Sequence, residues 1–229
     1  MDKILTGVAI NGIKSYAGSL HSVAVRFDSL EKLEYVYDKL FEKGFELPLT
    51  KKKVSDNCVE VAEILLELAS QDFFHIYNFS LFPSTFNSDV FTKTLEKTGF
   101  TEAFANNNVA RVFSLTAQIE LINGMAKEIS KEQPKIPMDI FIGSREEKNF
   151  FTFPVGHKKI YKAHYIENGD YANYFVNIAK ILARYNNYIE MVKIEEQVTG
   201  YNLTTNLGTL TKGHVQEIER YDIIEGVHR

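Results

Sequence analysis

Apolar and polar positions alternate in two segments near the start of the chain, and this period of two predicts strands over residues 4–10 and 20–27. The period then changes to that of a helix with one apolar face. Asp28 and Glu31 form a capping box, so we expect this helix to begin directly after the second strand. Gly44 is the residue that we expect to end it in the left-handed conformation.

The next elements follow the same order of strand, helix and glycine. We expect a short strand over 45–49, a lysine-rich loop at Lys51, Lys52 and Lys53, a helix over 56–70, a strand over 73–82 and a helix over 88–98 that ends at Gly99. His21 and His75 open the two long strands at similar distances before Gly44 and Gly99. Two successive β-α-β units of this kind predict ferredoxin-like repeats in the N-terminal half of an α+β protein. A helix before a strand commonly ends in glycine and an apolar residue, so true internal duplication stays open.

The C-terminal half is predicted to contain long helices and a β-hairpin. One helix begins after Asn108 and carries a narrow apolar stripe, and the hairpin has its strands over 150–155 and 158–166. A final helix over 170–199 would be about 44 Å long at about 1.5 Å per residue. We therefore expect part of it to pack against something outside its own lobe.

The asparagine run 106–108 is the best candidate for a boundary between lobes. We expect a ferredoxin-like lobe with an inserted helix over residues 1–106 and a helix-hairpin-helix lobe over 107–229. We expect the two lobes to pack together as one compact unit.

Composition is that of a folded globular protein, with 45% hydrophobic and 24% charged residues. The net charge of −4 means that any binding of nucleic acid must come from a local patch. Cys58, the single cysteine, lies on the apolar stripe of a predicted helix, where we expect a buried thiol. The absence of an internal disulfide and of any apolar run that could span a bilayer favours the cytoplasm. Abundant lysine and asparagine suggest an AT-rich coding genome, such as that of a phage, a mobile element or a low-GC bacterium.

The common catalytic signatures are missing from the sequence. It contains no phosphate-binding loop, no GxGxxG, no GxSxG, no CxxC and no HExxH pattern. His157 and His164 are separated by an odd number of residues, which places them on opposite faces of a strand and disfavours a shared metal. We therefore predict no metal site and no cofactor.

His21 and His75 are the candidate catalytic residues, because a general acid and a general base on equivalent strands could cleave a phosphodiester without a metal. Their layout is similar to the two-histidine phosphoesterase superfamily, in which each lobe carries a strand with His-x-Ser or His-x-Thr. Val23 and Tyr77 occupy the positions of the hydroxyl residue here. The competing interpretation is that both are hydrogen-bonded histidines at strand edges.

The predicted hairpin is the candidate nucleic-acid surface. Lysine binds phosphate and tyrosine stacks on unpaired bases, and here the two types alternate at Lys158, Lys159, Tyr161, Lys162 and Tyr165. Lysine on an exposed strand also serves to prevent edge-to-edge pairing, so a solvated edge is the competing interpretation.

The resulting functional prediction is a non-enzymatic interaction or assembly protein, encoded by a phage or mobile element, that self-associates or binds a protein partner through its long helices. The candidate contact residues are Val112, Leu115, Ile119, Ile122, Tyr174 and Tyr185. Two alternatives remain, a module that binds single-stranded nucleic acid and a metal-independent phosphodiesterase or ribonuclease. No contact with a membrane is expected.

Overall fold

The computed structural model of the 229-residue chain describes residues 4–12, 20–81, 138–144, 161–197 and 204. Its strands are β1 (Ile4–Gly12), β2 (Leu20–Phe27), β3 (His75–Leu81), β4 (Met138–Ser144) and β5 (Tyr161–Glu167). They form one sheet in the order β3-β2-β1-β4-β5. β2 is antiparallel to both of its neighbours, whereas β1, β4 and β5 run parallel to one another.

This sheet takes strands from both sides of the boundary that was expected at residue 106. β1, β2 and β3 precede that residue, and β4 and β5 follow it. β1 lies in the centre, where it pairs with β2 on one side and with β4 on the other. The two halves of the sequence therefore share one sheet.

The first helix, α1 (Leu30–Glu42), begins one residue later than the capping box predicts. Ser29 is the N-cap, and its hydroxyl accepts a hydrogen bond from the backbone N–H of Lys32 at 3.3 Å. The prediction for the end of the helix is confirmed, since Gly44 has a φ of 87° and the N–H of Phe45 donates to the carbonyl of Leu40.

The second helix, α2, spans Lys51–Ser70, so the prediction of a loop at Lys51 to Lys53 is wrong. Thr50 caps the helix by accepting a hydrogen bond from the backbone N–H of Lys53, and this cap starts it before the first apolar residue. Cys58 is buried as expected. Burial raises the pKa of its thiol, although the nearby Arg184 acts in the opposite direction.

The third helix, α3, spans Tyr174–Glu195 and packs inside the protein. It lies across β1 and β2 and contacts α2. The buried residues of α3 are Phe175, Val176, Asn177, Ile178, Ala179, Ile181, Leu182, Ala183, Asn187 and Met191. The expectation that part of this helix packs against something outside residues 107–229 is confirmed, because β1, β2 and α2 all precede residue 106.

Asn177 forms hydrogen bonds that link α3 to the segment between α1 and α2. Its side chain is fully buried, accepts a hydrogen bond from the N–H of Leu49 at 2.8 Å and donates to the carbonyl of Leu49 at 2.9 Å. It also donates to the carbonyl of Asp170 at 2.7 Å. An apolar side chain at position 177 could not form hydrogen bonds with the buried N–H and carbonyl groups of Leu49, so a polar residue is required here.

The predicted α+β class is confirmed, whereas the ferredoxin-like repeats are not. Residues 45–49, expected as the strand that closes the first repeat, form an irregular connection. The next strand, β3, is antiparallel to β2, although a β-α-β unit requires parallel strands. The expected helices over 88–98 and from 108 onward lie outside the described residues, as does the first strand of the hairpin. No helix in the described part is both long enough and apolar enough to cross a membrane.

Candidate functional site

A row of aromatic rings crosses the α3 side of the sheet. Phe27 stacks on Phe74 with ring centroids 5.0 Å apart and meets Phe175 of α3 edge-on at 5.7 Å. Phe175 stacks on Phe141 of β4 at 5.0 Å, and Phe141 stacks in turn on His164 of β5 at 5.0 Å. The row ends at His164, so its inner neighbours fix the plane of the imidazole ring.

Asp139 of β4 and His164 of β5 form a carboxylate–imidazole pair at the end of this row, which we call the β4–β5 dyad. Asp139 Oδ1 lies 3.3 Å from His164 Nε2, an ion-pair distance without the alignment of a hydrogen bond. The exposed fraction of the side chain is 11% for Asp139 and 31% for His164. Because Nε2 itself is buried, the exposed part of the imidazole ring belongs to its other atoms.

The dyad has the composition of a general base with an orienting group. A carboxylate beside Nε2 favours the tautomer that carries its proton on that nitrogen. Nδ1 then keeps its lone pair and can accept a proton. The pair is therefore a candidate for proton transfer at the exposed part of the His164 side chain.

The carboxyl ends of the parallel strands form a second candidate location, since ligands commonly bind at that edge of such sheets. At the end of β4, a Cβ added to Gly143 would lie 2.5 Å from Asp170 Oδ1. Asp170 belongs to the 3₁₀ turn Gly169–Tyr171 and pairs with Lys180 Nζ at 3.0 Å. The turn therefore closes over the end of β4 and leaves no room for a side chain there.

Phosphodiester hydrolysis by divalent metal ions requires several carboxylate oxygens at one place. β1 carries no acidic residue, histidine or cysteine, and the only carboxylate of β4, Asp139, lies near the start of that strand. No group of three or more potential metal ligands occurs among the residues that the structure describes. The described carboxylates near this edge are Asp170, which pairs with Lys180, and Glu167 at the end of β5, and together they fall short of the ligand set of a divalent metal centre.

A third polar cluster surrounds Asp28 at the other end of the sheet. Its carboxylate lies 3.2 Å from Arg26 Nε, 3.6 Å from Lys32 Nζ and 3.6 Å from His75 Nε2. Lys32 also donates a hydrogen bond to the carbonyl of Asp72 at 2.8 Å. These contacts join the end of β2 and the start of α1 to the start of β3, so we assign the cluster a structural role.

The structure does not bring the predicted catalytic histidines together. His75 pairs with Arg26 of β2, whereas His21 pairs with Ser80 of β3. Five positions along an extended strand separate the two places, or about 17 Å at about 3.4 Å per residue. The matched positions that suggested a catalytic pair are therefore opposite ends of one antiparallel ladder, and the similarity to two-histidine phosphoesterases has no counterpart in this arrangement.

The predicted nucleic-acid residues Tyr161, Lys162 and Tyr165 all lie on β5, which is an edge of the described sheet. Lys162 is directly opposite Asp139 in the register with β4. Lys158 and Lys159 lie outside the described residues. The prediction thus falls on the same strand that carries His164 of the dyad.

The candidate protein-binding residues are divided between α3 and a part of the chain that is not described. Val112, Leu115, Ile119 and Ile122 lie outside the described residues. Tyr174 is 43% exposed and meets Tyr37 edge-on at 6.1 Å, and Tyr185 packs against the core and stacks on Tyr188 at 6.5 Å. Tyr174 and Tyr185 therefore both have intramolecular ring partners.

The dyad was missed by sequence reasoning because Asp139 and His164 meet only when β4 and β5 pair in parallel. The signal available in the sequence was weak. Lys162 and His164 are two residues apart on one strand, and Asp139 is a single acidic residue near the start of another. Neither pattern identifies the partner strand.

No protein-family model matches the chain, and no curated protein matches its sequence. Its fold is similar to those of solved ribonucleases. The ribonuclease H2 of Pyrococcus horikoshii OT3 superposes with a TM-score of 0.54 and 14% identity, over 99% of this chain and 92% of the other. A chain in the PCNA:RNase HII complex from Archaeoglobus fulgidus superposes with a TM-score of 0.52 and 12% identity, over 98% and 93%. At such identities the likeness establishes the fold.

These likenesses overturn the main functional prediction. A non-enzymatic interaction or assembly protein, encoded by a phage or mobile element, is wrong, since the fold matched over nearly the whole length is that of ribonucleases. α3, one of the helices expected to bind the protein partner, is a core helix instead.

Proposed function

We propose that this chain is a ribonuclease that has the fold of the RNase H enzymes and cleaves RNA. The observation that carries the proposal is the likeness of fold to two ribonucleases over 92% and 93% of their chains. A match of that extent is to the whole fold of those enzymes, not to one shared motif. Fold alone does not determine chemistry, so the side chains of the site must supply the rest of the argument.

Two features of β5 support action on nucleic acid. The strand carries Tyr161, Lys162 and Tyr165, residue types that stack on bases and neutralise phosphate. It also carries His164 of the β4–β5 dyad, whose imidazole can accept a proton. Lys162 and His164 occupy positions on one face of the strand, whereas Tyr161 and Tyr165 occupy positions on the other. Because the net charge is −4, a local surface must provide the attraction for a phosphate backbone, and we assign that part to the face of Lys162 and His164.

A second candidate function is the binding of nucleic acid without cleavage. It is favoured by the end of β4, where position 143 has no room for a side chain and the adjacent carboxylate of Asp170 pairs with Lys180. A protein of this kind would keep the recognition surface of the fold and lack the chemistry at the strand ends.

The test is a panel of four labelled nucleic acids of one sequence: single-stranded RNA, an RNA–DNA hybrid, single-stranded DNA and duplex DNA. Each is incubated with purified protein in EDTA, in Mg²⁺ and in Mn²⁺, and both binding and cleavage are measured. The proposal expects cleavage of RNA-containing substrates alone. It also expects binding that weakens steeply with salt, since each lysine–phosphate contact releases counterions.

Salt-dependent binding of RNA without cleavage under any of these conditions would replace the ribonuclease by the second candidate. Equal cleavage of RNA and DNA would reject a ribonuclease. No binding of any of the four at low salt would reject both functions.

A further inference from the structure

The ring of His164 on β5 combines two features that the proposed function needs. The ring of His164 is fixed in plane by Phe141, which is itself stacked on Phe175 of α3. The ring nevertheless keeps nearly a third of its surface exposed. A histidine that is both oriented and accessible differs from a packed core histidine, whose ring is enclosed.

The buried neighbour of this ring is a carboxylate and not a carbonyl or a hydroxyl. Asp139 and Phe141 are two residues apart on β4 and lie on the same face, because alternate residues of a strand share a face. The Oδ1 of Asp139 lies 3.3 Å from Nε2, and catalytic contacts of this length often tighten when the substrate binds. A carboxylate in this position can hold the orientation of the imidazole ring, which is the part assigned here to Asp139.

We propose that the β4–β5 dyad cleaves RNA without a divalent metal, with His164 as the general base and Asp139 as its positioning residue. This inference rests on the proposed ribonuclease function and adds the chemistry. The side chains that are present also favour this chemistry. The described residues contain an imidazole–carboxylate pair across β4 and β5, and they contain no group of three or more side chains that could hold a metal ion.

The step needs no reactant beyond RNA and water. His164 Nδ1 takes the proton of a ribose 2′-hydroxyl, and the 2′-oxygen forms a bond to the adjacent phosphorus. The bond from phosphorus to the 5′-oxygen of the next nucleotide breaks, and that oxygen takes a proton from water. The hydroxide that remains receives the proton held by His164. The products are a 2′,3′-cyclic phosphate and a 5′-hydroxyl.

This chemistry restricts the substrate to RNA. The nucleophile is the 2′-hydroxyl, which DNA lacks, so replacing one ribose by deoxyribose removes the reaction at that position. The attacking oxygen must also move into line with the leaving oxygen. We therefore expect flexible single-stranded RNA to be cleaved faster than RNA held in a duplex.

The test compares the wild-type chain with His164→Asn on single-stranded RNA in EDTA, with the chemical ends of the products identified. We expect the wild-type protein to leave 2′,3′-cyclic phosphate ends, and His164→Asn to lower the rate by roughly 10²–10⁴-fold. His75→Asn is the matched control, because His75 also lies beside a carboxylate but in the structural cluster around Asp28. It should retain the wild-type rate.

Asp139→Asn separates positioning from folding. Loss of the carboxylate should lower kcat and leave KM for RNA near its wild-type value, because Asp139 acts through His164. Urea unfolding midpoints and RNA affinities of all three variants identify any that lose rate only by unfolding. A fall in the rate of His164→Asn that is fully accounted for by unfolding would overturn the inference.

Two further outcomes separate this inference from the function on which it rests. Cleavage that stops in EDTA, leaves 3′-hydroxyl ends in Mg²⁺ or Mn²⁺ and persists in His164→Asn would overturn the dyad while the ribonuclease stands. Absence of cleavage of any RNA by the wild-type chain would overturn the ribonuclease and the dyad together.

Discussion

Two of the described glycines, Gly7 and Gly44, are required for different physical reasons. At Gly7 of β1, an added Cβ would lie 2.1 Å from the carbonyl carbon of Phe175, so the backbone of α3 rests directly on the sheet. At Gly44 there is open space, but the φ of 87° belongs to the left-handed region that disfavours other residues. The first glycine permits close packing, and the second permits a turn.

Substitution should distinguish the two. Gly7→Ala should lower the free energy of unfolding by about 1–3 kcal/mol or more through overpacking, and Gly44→Ala by about 1–2 kcal/mol through backbone strain. Asparagine tolerates the left-handed region, so Gly44→Asn should recover much of that loss, whereas Gly7→Asn should be less stable than Gly7→Ala. Urea denaturation measures all four. A Gly7→Ala protein as stable as wild type would contradict the packing of α3 on β1.

At the scale of elements, α3 organises the described part of the molecule. It covers β1 and β2, contacts α2, and presents Phe175 to the aromatic row that ends at His164. Asn177 ties its first turns to the connection between α1 and α2 through Leu49. The position of the β4–β5 dyad therefore depends on how α3 packs against the sheet.

Asn177→Leu should lower the free energy of unfolding by about 2–6 kcal/mol, because the buried N–H and carbonyl groups of Leu49 each lose this partner at about 1–3 kcal/mol. Asn186→Ala is the control on the same helix, since Asn186 donates to Asn78 at the surface and its loss should cost at most about 0.5 kcal/mol. Equal effects of the two substitutions in urea denaturation would contradict the role assigned to Asn177.

Local signals predicted the elements better than their partners. The strand pair β1–β2, the stop at Gly44 and buried Cys58 follow from neighbouring residues, and all three are confirmed. The start of α2 was missed because Thr50 caps the helix ahead of its lysines. The pairing of Gly7 with Phe141 joins distant parts of the chain, and no local pattern specifies it.

The same limit explains what could be predicted of the site. The lysine and tyrosine alternation identified β5 as a strand of interest, since its residue types are visible in the sequence. The β4–β5 dyad depends on a parallel register between separate segments, so Asp139 and His164 could not be paired in advance. His21 and His75 looked equivalent by their spacing, and the antiparallel register separates them.

For the whole molecule, one mixed sheet with α3 on one side supports a fold shared with ribonucleases. The overall charge of −4 opposes approach to a phosphate backbone, so recognition must be local. We propose that it occurs along β5, at the edge of the described sheet, where Lys162 and the proposed general base His164 occupy one face of the strand.

An oligonucleotide of DNA that carries a single ribonucleotide tests the central claim most directly, because it isolates one 2′-hydroxyl. The purified chain is incubated with this strand and with its all-DNA counterpart, and the position of any cut is mapped. The account predicts one cut, directly after the ribonucleotide, and none in the all-DNA strand. Cuts at the same positions in both strands, or no cut in either under conditions where the strands are bound, would contradict a ribonuclease.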